Sequence, residues 1–180
     1  MKENNKGFTL VELIVCIAIF SVVVVAAFGF MISGSRTYGT VNNRLNLQLQ
    51  SELTLNQLNA YIIDSNAGIC FSGNTLYVLN KDDGGVFTAH IFQFRNDGCI
   101  YYGTGAATEL ESGKFSCNVV ATDLLTENVT SFSVTPRSSD GVTAASALVS
   151  LTLENHSAIT NDERIVALRN KTAIVVIQNT

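Results

Sequence analysis

The chain is short of charge and proline and has no tryptophan: 14% of its 180 residues are Asp, Glu, Lys or Arg, and Pro136 is the one proline. Its 11 Lys and Arg are outnumbered by 15 Asp and Glu, a formal charge of -4. Domains that grip phosphate backbones carry a basic patch or stripe, so direct nucleic-acid binding is not expected. The four cysteines form no C-x-x-C, and His90 and His156 stand alone, which leaves no zinc-ligand spacing. There is no G-x-S-x-G and no glycine-rich phosphate loop. No enzymatic activity, cofactor or metal is therefore expected. The Asp82-Asp83 and Asp162-Glu163 pairs read as solvated turn charges, with calcium ligation the alternative. With 47% hydrophobic residues the chain is far from disordered segments, which combine low hydrophobicity with high net charge.

Much of that hydrophobicity sits near the N-terminus. From Leu13 to Ser35 there are 23 residues without a charge. A bilayer-spanning helix needs about 20 apolar residues, and soluble helices are seldom apolar on every face. The run is long for a secretory signal core, and the Ala26-Ala27 stretch that resembles a cleavage site lies in its middle. Lys2 and Lys6 before the run favour a cytoplasmic N-terminus, with Arg36 and Arg44 beyond it weakening the bias. The bulk of the chain is expected outside the cytoplasm. Glu12 is the oddity. A carboxylate in a spanning helix costs about 2.5–3.5 kcal/mol on insertion scales and is functional by default, unless it snorkels to the headgroups from the first turns.

The residues around Glu12 bear on that choice. Lys6-Gly7-Phe8-Thr9-Leu10-Val11-Glu12 resembles the processing site of type IV prepilins and of the pseudopilins of type II secretion and competence systems. The resemblance implies a leader closed by Gly7, cleavage by prepilin peptidase between Gly7 and Phe8, and N-methylation of Phe8. Glu12 matches the family glutamate that meets a neighbouring subunit's N-terminal amine during assembly. A buried carboxylate and ammonium are tolerable as a pair, and pairing across subunits sets register. Many pilins carry a proline partway along this helix. The chain has Gly29 and Gly34 instead, which read either as a kink or as a straight, slightly weaker helix.

After the apolar run, Val41, Leu45, Leu49, Leu53, Leu58 and Ile62 recur at steps of mostly four or five and predict an amphipathic helix with one buried stripe. Leu47 and Leu55 fall off that stripe and widen the apolar face. The helix is expected from Phe8 to about Asp64, with Asn66 and Gly68 as stop signals. Beyond it, short apolar runs separated by Gly73-Asn74, Asp83-Gly84-Gly85 and Asp97-Gly98 read as antiparallel hairpins. Residues 103–114 read as a loop, and Pro136 to Gly141 as a turn or edge connection. The expected fold is α+β, one long N-terminal helix packed on an antiparallel sheet. The expected parts are a leader at 1–7, a membrane or filament-core half-helix at 8–35, an amphipathic half at 36–66 and a β-rich ectodomain at 67–180. The order of the later strands, with Arg169-Asn170 near the end of one, is similar to that of J-type pseudopilins and minor pilins. One tip-capping type lacks the glutamate, so the presence of Glu12 disfavours that role.

Cys16 lies in the membrane run as a small apolar residue. Cys70, Cys99 and Cys117 lie in the exported part, where oxidation is allowed, and three residues permit three single bridges. Cys99–Cys117 is favoured slightly over Cys70–Cys99. The expected function is a structural, minor subunit of a type IV pilus or type II secretion-like pseudopilus. The alternatives are a competence pilus subunit and a single-span surface binding protein. The resemblance implies other pilin subunits, prepilin peptidase, the membrane, and an assembly platform with its ATPase as partners. It also implies a single-pass membrane precursor that ends in a cell-surface filament.

Overall fold

The computed structural model describes residues 9–156 and 158–178. Among the described residues, one helix, α1 (Leu10–Ile63), is followed by ten strands. These are β1 (Gly68–Ser72), β2 (Thr75–Lys81), β3 (Phe87–Phe94), β4 (Ile100–Glu111), β5 (Lys114–Cys117), β6 (Asp123–Thr126), β7 (Val129–Ser138), β8 (Thr143–Asn155), β9 (Ala158–Ala173) and β10 (Val176–Ile177). The architecture is α+β, with one long apolar N-terminal helix and two sheets. The chain divides between Asn42 and Asn43 into two units. In the first, the helical pattern runs through Gly29 and Gly34 without interruption.

The second unit holds both sheets. β1 to β4 form an antiparallel meander, as the turn residues predict. Gly73 and Asn74, both at positive φ, make the two-residue β1–β2 turn whose twist suits a hairpin. β5 follows on β4, β6 also pairs β4, and β10 lies parallel to β5. The path then returns to its start. Ile174 bridges Ile69 of β1, and the Val175 N–H donates to the Ile69 carbonyl at 3.2 Å. The strands β1-β2-β3-β4-β5-β10 thus close into a ring. A Cβ on Gly68 would lie 2.6 Å from a Val175 methyl, so glycine permits the closing segment to approach. The second sheet is the antiparallel β7-β8-β9.

Two cores follow from this closure. One lies between α1, the β7-β8-β9 sheet and the outer face of the ring, and includes Leu47, Leu55, Leu58, Ile62, Val78, Phe92, Leu151 and Leu153. The other fills the ring with Leu79, Ala89, Ile91, Ala107, Phe115, Cys117 and Val175. Polar contacts reinforce the helix. Ser51 donates to Asp162, Arg164 donates to Asn56 at 2.7 Å, and Arg169 pairs with Asp64 at 3.1 Å.

Four expectations change. The helix buries Leu47, Leu55, Leu58 and Ile62, while Val41, Leu45, Leu49 and Leu53 are exposed. Two residues along a helix turn about 200°, so Leu47 and Leu49 face opposite ways. The wide apolar stripe is in fact two opposed faces. Residues 103–114, expected as a loop, complete β4 and begin β5. The glycines there answer a packing need, because a Cβ on Gly103 would lie 2.6 Å from the Val120 carbonyl. Pro136 lies inside β7 opposite Ala147, on an outer strand of its sheet where a missing N–H is tolerated. Asp162 is a strand residue bonded to the helix, not a turn charge.

Candidate processing and assembly site

The residues singled out at the N-terminus fall partly outside the described part: Gly7 and Phe8 lie before it. Thr9 is the first described residue and α1 begins at Leu10. The Thr9 N–H and hydroxyl both donate to Oε2 of Glu12, at 3.0 and 2.9 Å. The Glu12 N–H donates back to the Thr9 hydroxyl oxygen at 3.3 Å. This is a capping box. A threonine ahead of the helix and a glutamate three residues on satisfy each other's backbone donors, which would otherwise be orphaned at the helix start. The T-x-x-E spacing, not singled out above, is the local signal of such a box.

Glu12 is the sole charge from Leu10 to Ile32. Around it the large apolar side chains Leu10, Val11, Leu13, Ile14, Val15 and Ile17 are all exposed. The best 18-residue window has a mean hydropathy of 3.0 and none of it is buried, so the helix is long and apolar enough to cross a membrane. A surface of this kind needs a cover of lipid or protein. The carboxylate's local partners offset part of its cost in such a cover, since both of its donors come from Thr9.

The strand-rich unit holds the other candidates. All four cysteines are free thiols. Cys117 pairs across β4–β5 with Ala107, eight residues along the strand from Cys99. At about 3.3 Å per residue that is on the order of 26 Å, against a Cα separation of roughly 4.4–6.8 Å in a disulfide. The register does not bring Cys99 and Cys117 together. Nor does it join Cys70 to Cys99: the row through Cys70, Tyr77 and Ile91 meets β4 at Gly103, three strands away. Cys99 instead sits in the β3–β4 turn, where its N–H donates to Asp97 at 3.0 Å.

Burial pushes the Cys70 and Cys117 thiols up from their ordinary values. His90, on β3, is half-buried among Tyr61 of α1 and Tyr102 of β4. Its Nδ1 lies 2.9 Å from the Tyr102 hydroxyl, and its ring centroid lies 4.7 Å from that of Tyr61. Burial lowers His90 below the usual imidazole range. The same burial, with a hydrogen bond to Tyr61, raises Tyr102 to about 12. His156 lies in the β8–β9 turn, far in sequence from this cluster. Among the described residues no group of three His, Cys, Asp or Glu side chains is placed to hold a metal.

A family model described as the prokaryotic N-terminal methylation motif matches residues 2–28. The chain carries an N-terminal methylation segment. No curated protein and no solved structure matches it. The motif covers the start of α1 and supports a pilin- or pseudopilin-type subunit, with cleavage and methylation at its N-terminus and anchoring by an apolar helix. The long helix followed by strands is consistent with a pilin-like fold. Pilin-like proteins are structural, and they associate with other pilins and with prepilin peptidase.

Proposed function

We propose that the chain is a minor structural subunit of a type IV pilus or type II secretion-like pseudopilus. Prepilin peptidase removes the leader 1–7 by cutting between Gly7 and Phe8, and Phe8 becomes the N-methylated first residue. The first half of α1, to about residue 35, anchors the precursor with the strands outside the cytoplasm. It is then transferred into a filament, where helix surfaces of neighbouring subunits replace lipid. The amphipathic half to about residue 66 carries the β-rich ectodomain at 67–180. Assembly draws its energy from a separate platform ATPase.

The observation that carries this reading is a single carboxylate, Glu12, in the first turn of an exposed apolar helix within the methylation segment. In apolar surroundings a carboxylate with one lone partner residue is still costly, and a neighbour's ammonium is the complement that removes the cost. The deciding experiment is the mass of the N-terminal peptide of the protein from its native membranes. A peptide that starts at Phe8 with one added methyl group is expected. An intact Met1 start, or cleavage beyond Ala26, would leave a simple anchored or secreted protein and end the filament reading.

A further inference from the structure

We propose that the exposed side of α1 from Arg44 to Leu53 docks on the corresponding stretch of a second copy of this chain, the two helices running parallel and displaced by eight residues. This rests on the filament reading above and goes further by naming the neighbour. The stretch lies wholly in the second unit. The strands take the side that carries Leu47, Leu55 and Leu58, so Leu45, Leu49 and Leu53 are left 51%, 60% and 66% exposed. Leucines at steps of four form a ridge suited to packing on another helix. Arg44 and Glu52 flank that ridge. Both are exposed, and neither belongs to the two ion pairs found among the described residues, Lys114–Glu111 and Arg169–Asp64. Eight residues apart, they stand about 12 Å from each other along the axis, beyond the three or four residues over which side chains of one helix pair. A displaced copy supplies each with its partner.

Chains anchored by their N-termini in one membrane run the same way, so the displacement decides which residues meet. In register, Arg44 meets Arg44 and Glu52 meets Glu52, and like charges repel. A shift of four sets Leu45 against Leu49 but leaves Arg44 and Glu52 each level with a Gln48. A shift of sixteen brings Arg36 level with Glu52 but sets Leu45 against Tyr61 and no exposed leucine against another. A shift of eight sets Arg44 against Glu52 and Leu45 against Leu53 at once. The leucines keep water from the ion pair, which strengthens it. One copy's Arg44 and the other's Glu52 stay free, so further copies add in the same way and the contact is open-ended. A minor subunit built like this enters a filament as adjacent copies.

The test uses the full chain, purified in mild detergent with either of two affinity tags; the two forms are mixed and captured on one tag. Wild type should capture wild type. Arg44→Glu sets a carboxylate against Glu52, and Glu52→Arg sets a guanidinium against Arg44, so each variant should capture itself at least tenfold less well. Arg44→Glu should capture Glu52→Arg at the wild-type level, because the mixed contact regains opposite charges. Both variants should melt with the wild type, since these side chains are exposed. Cross-linked wild type should show species beyond the dimer; a dimer alone would mean a closed antiparallel pair and overturn the stagger. Absent self-capture, variants that capture themselves like the wild type, or no recovery in the mixture would overturn the contact. Capture does not depend on processing at Gly7, so its failure beside a methylated peptide starting at Phe8 would remove this neighbour and leave the filament reading standing.

Discussion

Leu47 and Leu49 stand two residues apart on α1 and face opposite ways, which makes them a paired test of the helix docking. Leu47 is 2% exposed within the core shared with both sheets, and Leu49 is 60% exposed. Leu47→Ala removes buried carbon and leaves a cavity bounded by rigid strands, a loss of about 3 kcal/mol. Leu49→Ala removes little buried area and exchanges one good helix former for another, so its effect stays within about 0.5 kcal/mol. At roughly 3 °C per kcal/mol for a unit of this size, Leu47→Ala lowers the melting midpoint by about 10 °C, and Leu49→Ala leaves it within a degree or two. Tyrosine fluorescence suits the measurement, because the chain has no tryptophan and Tyr61 and Tyr102 pack where helix and ring meet. Equal shifts, or a larger one for Leu49→Ala, would refute the docking face and restore the stripe through Leu45, Leu49 and Leu53.

Three further outcomes are expected. Gly103→Ala drives a Cβ into the Val120 carbonyl and the Ala121 backbone, destabilising the fold by about 1–3 kcal/mol, whereas Gly34→Ala, open on all sides, leaves the strand unit unchanged; urea melts of both variants check this. His90 titrates below the ordinary histidine value of about 6.5, so the unfolded chain takes up a proton that the fold refuses. Its contribution to stability is complete above about pH 6.5 and falls as the pH drops through the lowered value; melts at pH 7 and pH 5 should diverge more for the wild type than for His90→Phe, and equal divergence would remove His90 as the cause. Glu12→Ala should leave membrane insertion intact yet lower recovery in sheared filaments at least tenfold; recovery at the wild-type level would remove Glu12 from assembly.

The part of the site that was legible is local. Gly7 to Glu12 is a contiguous motif, and the apolar run declares itself by length. The hairpin turns at Gly73-Asn74 and Asp97-Gly98 were legible for the same reason, since turn chemistry acts over two to four residues. The cysteine neighbourhood was not legible. Strand register decides it: Cys117 stands opposite Ala107, while the row through Cys70 meets β4 at Gly103, and no local pattern encodes that.

Sequence alone therefore determined that there is one long helix, that its first half is apolar throughout, and that hairpins follow, because periodicity and turn residues act within a few positions. Tertiary structure decided which face of the second half-helix is buried. Both faces carry leucines, and the side that meets the strands is chosen by complementary partners such as Asp162 for Ser51 and Arg164 for Asn56. It also decided that the strands split into two sheets and that one closes on itself. Ring closure depends on Gly68 meeting Val175 and on a parallel β5–β10 pairing, contacts between residues that are distant in sequence and carry no periodic signal of their own.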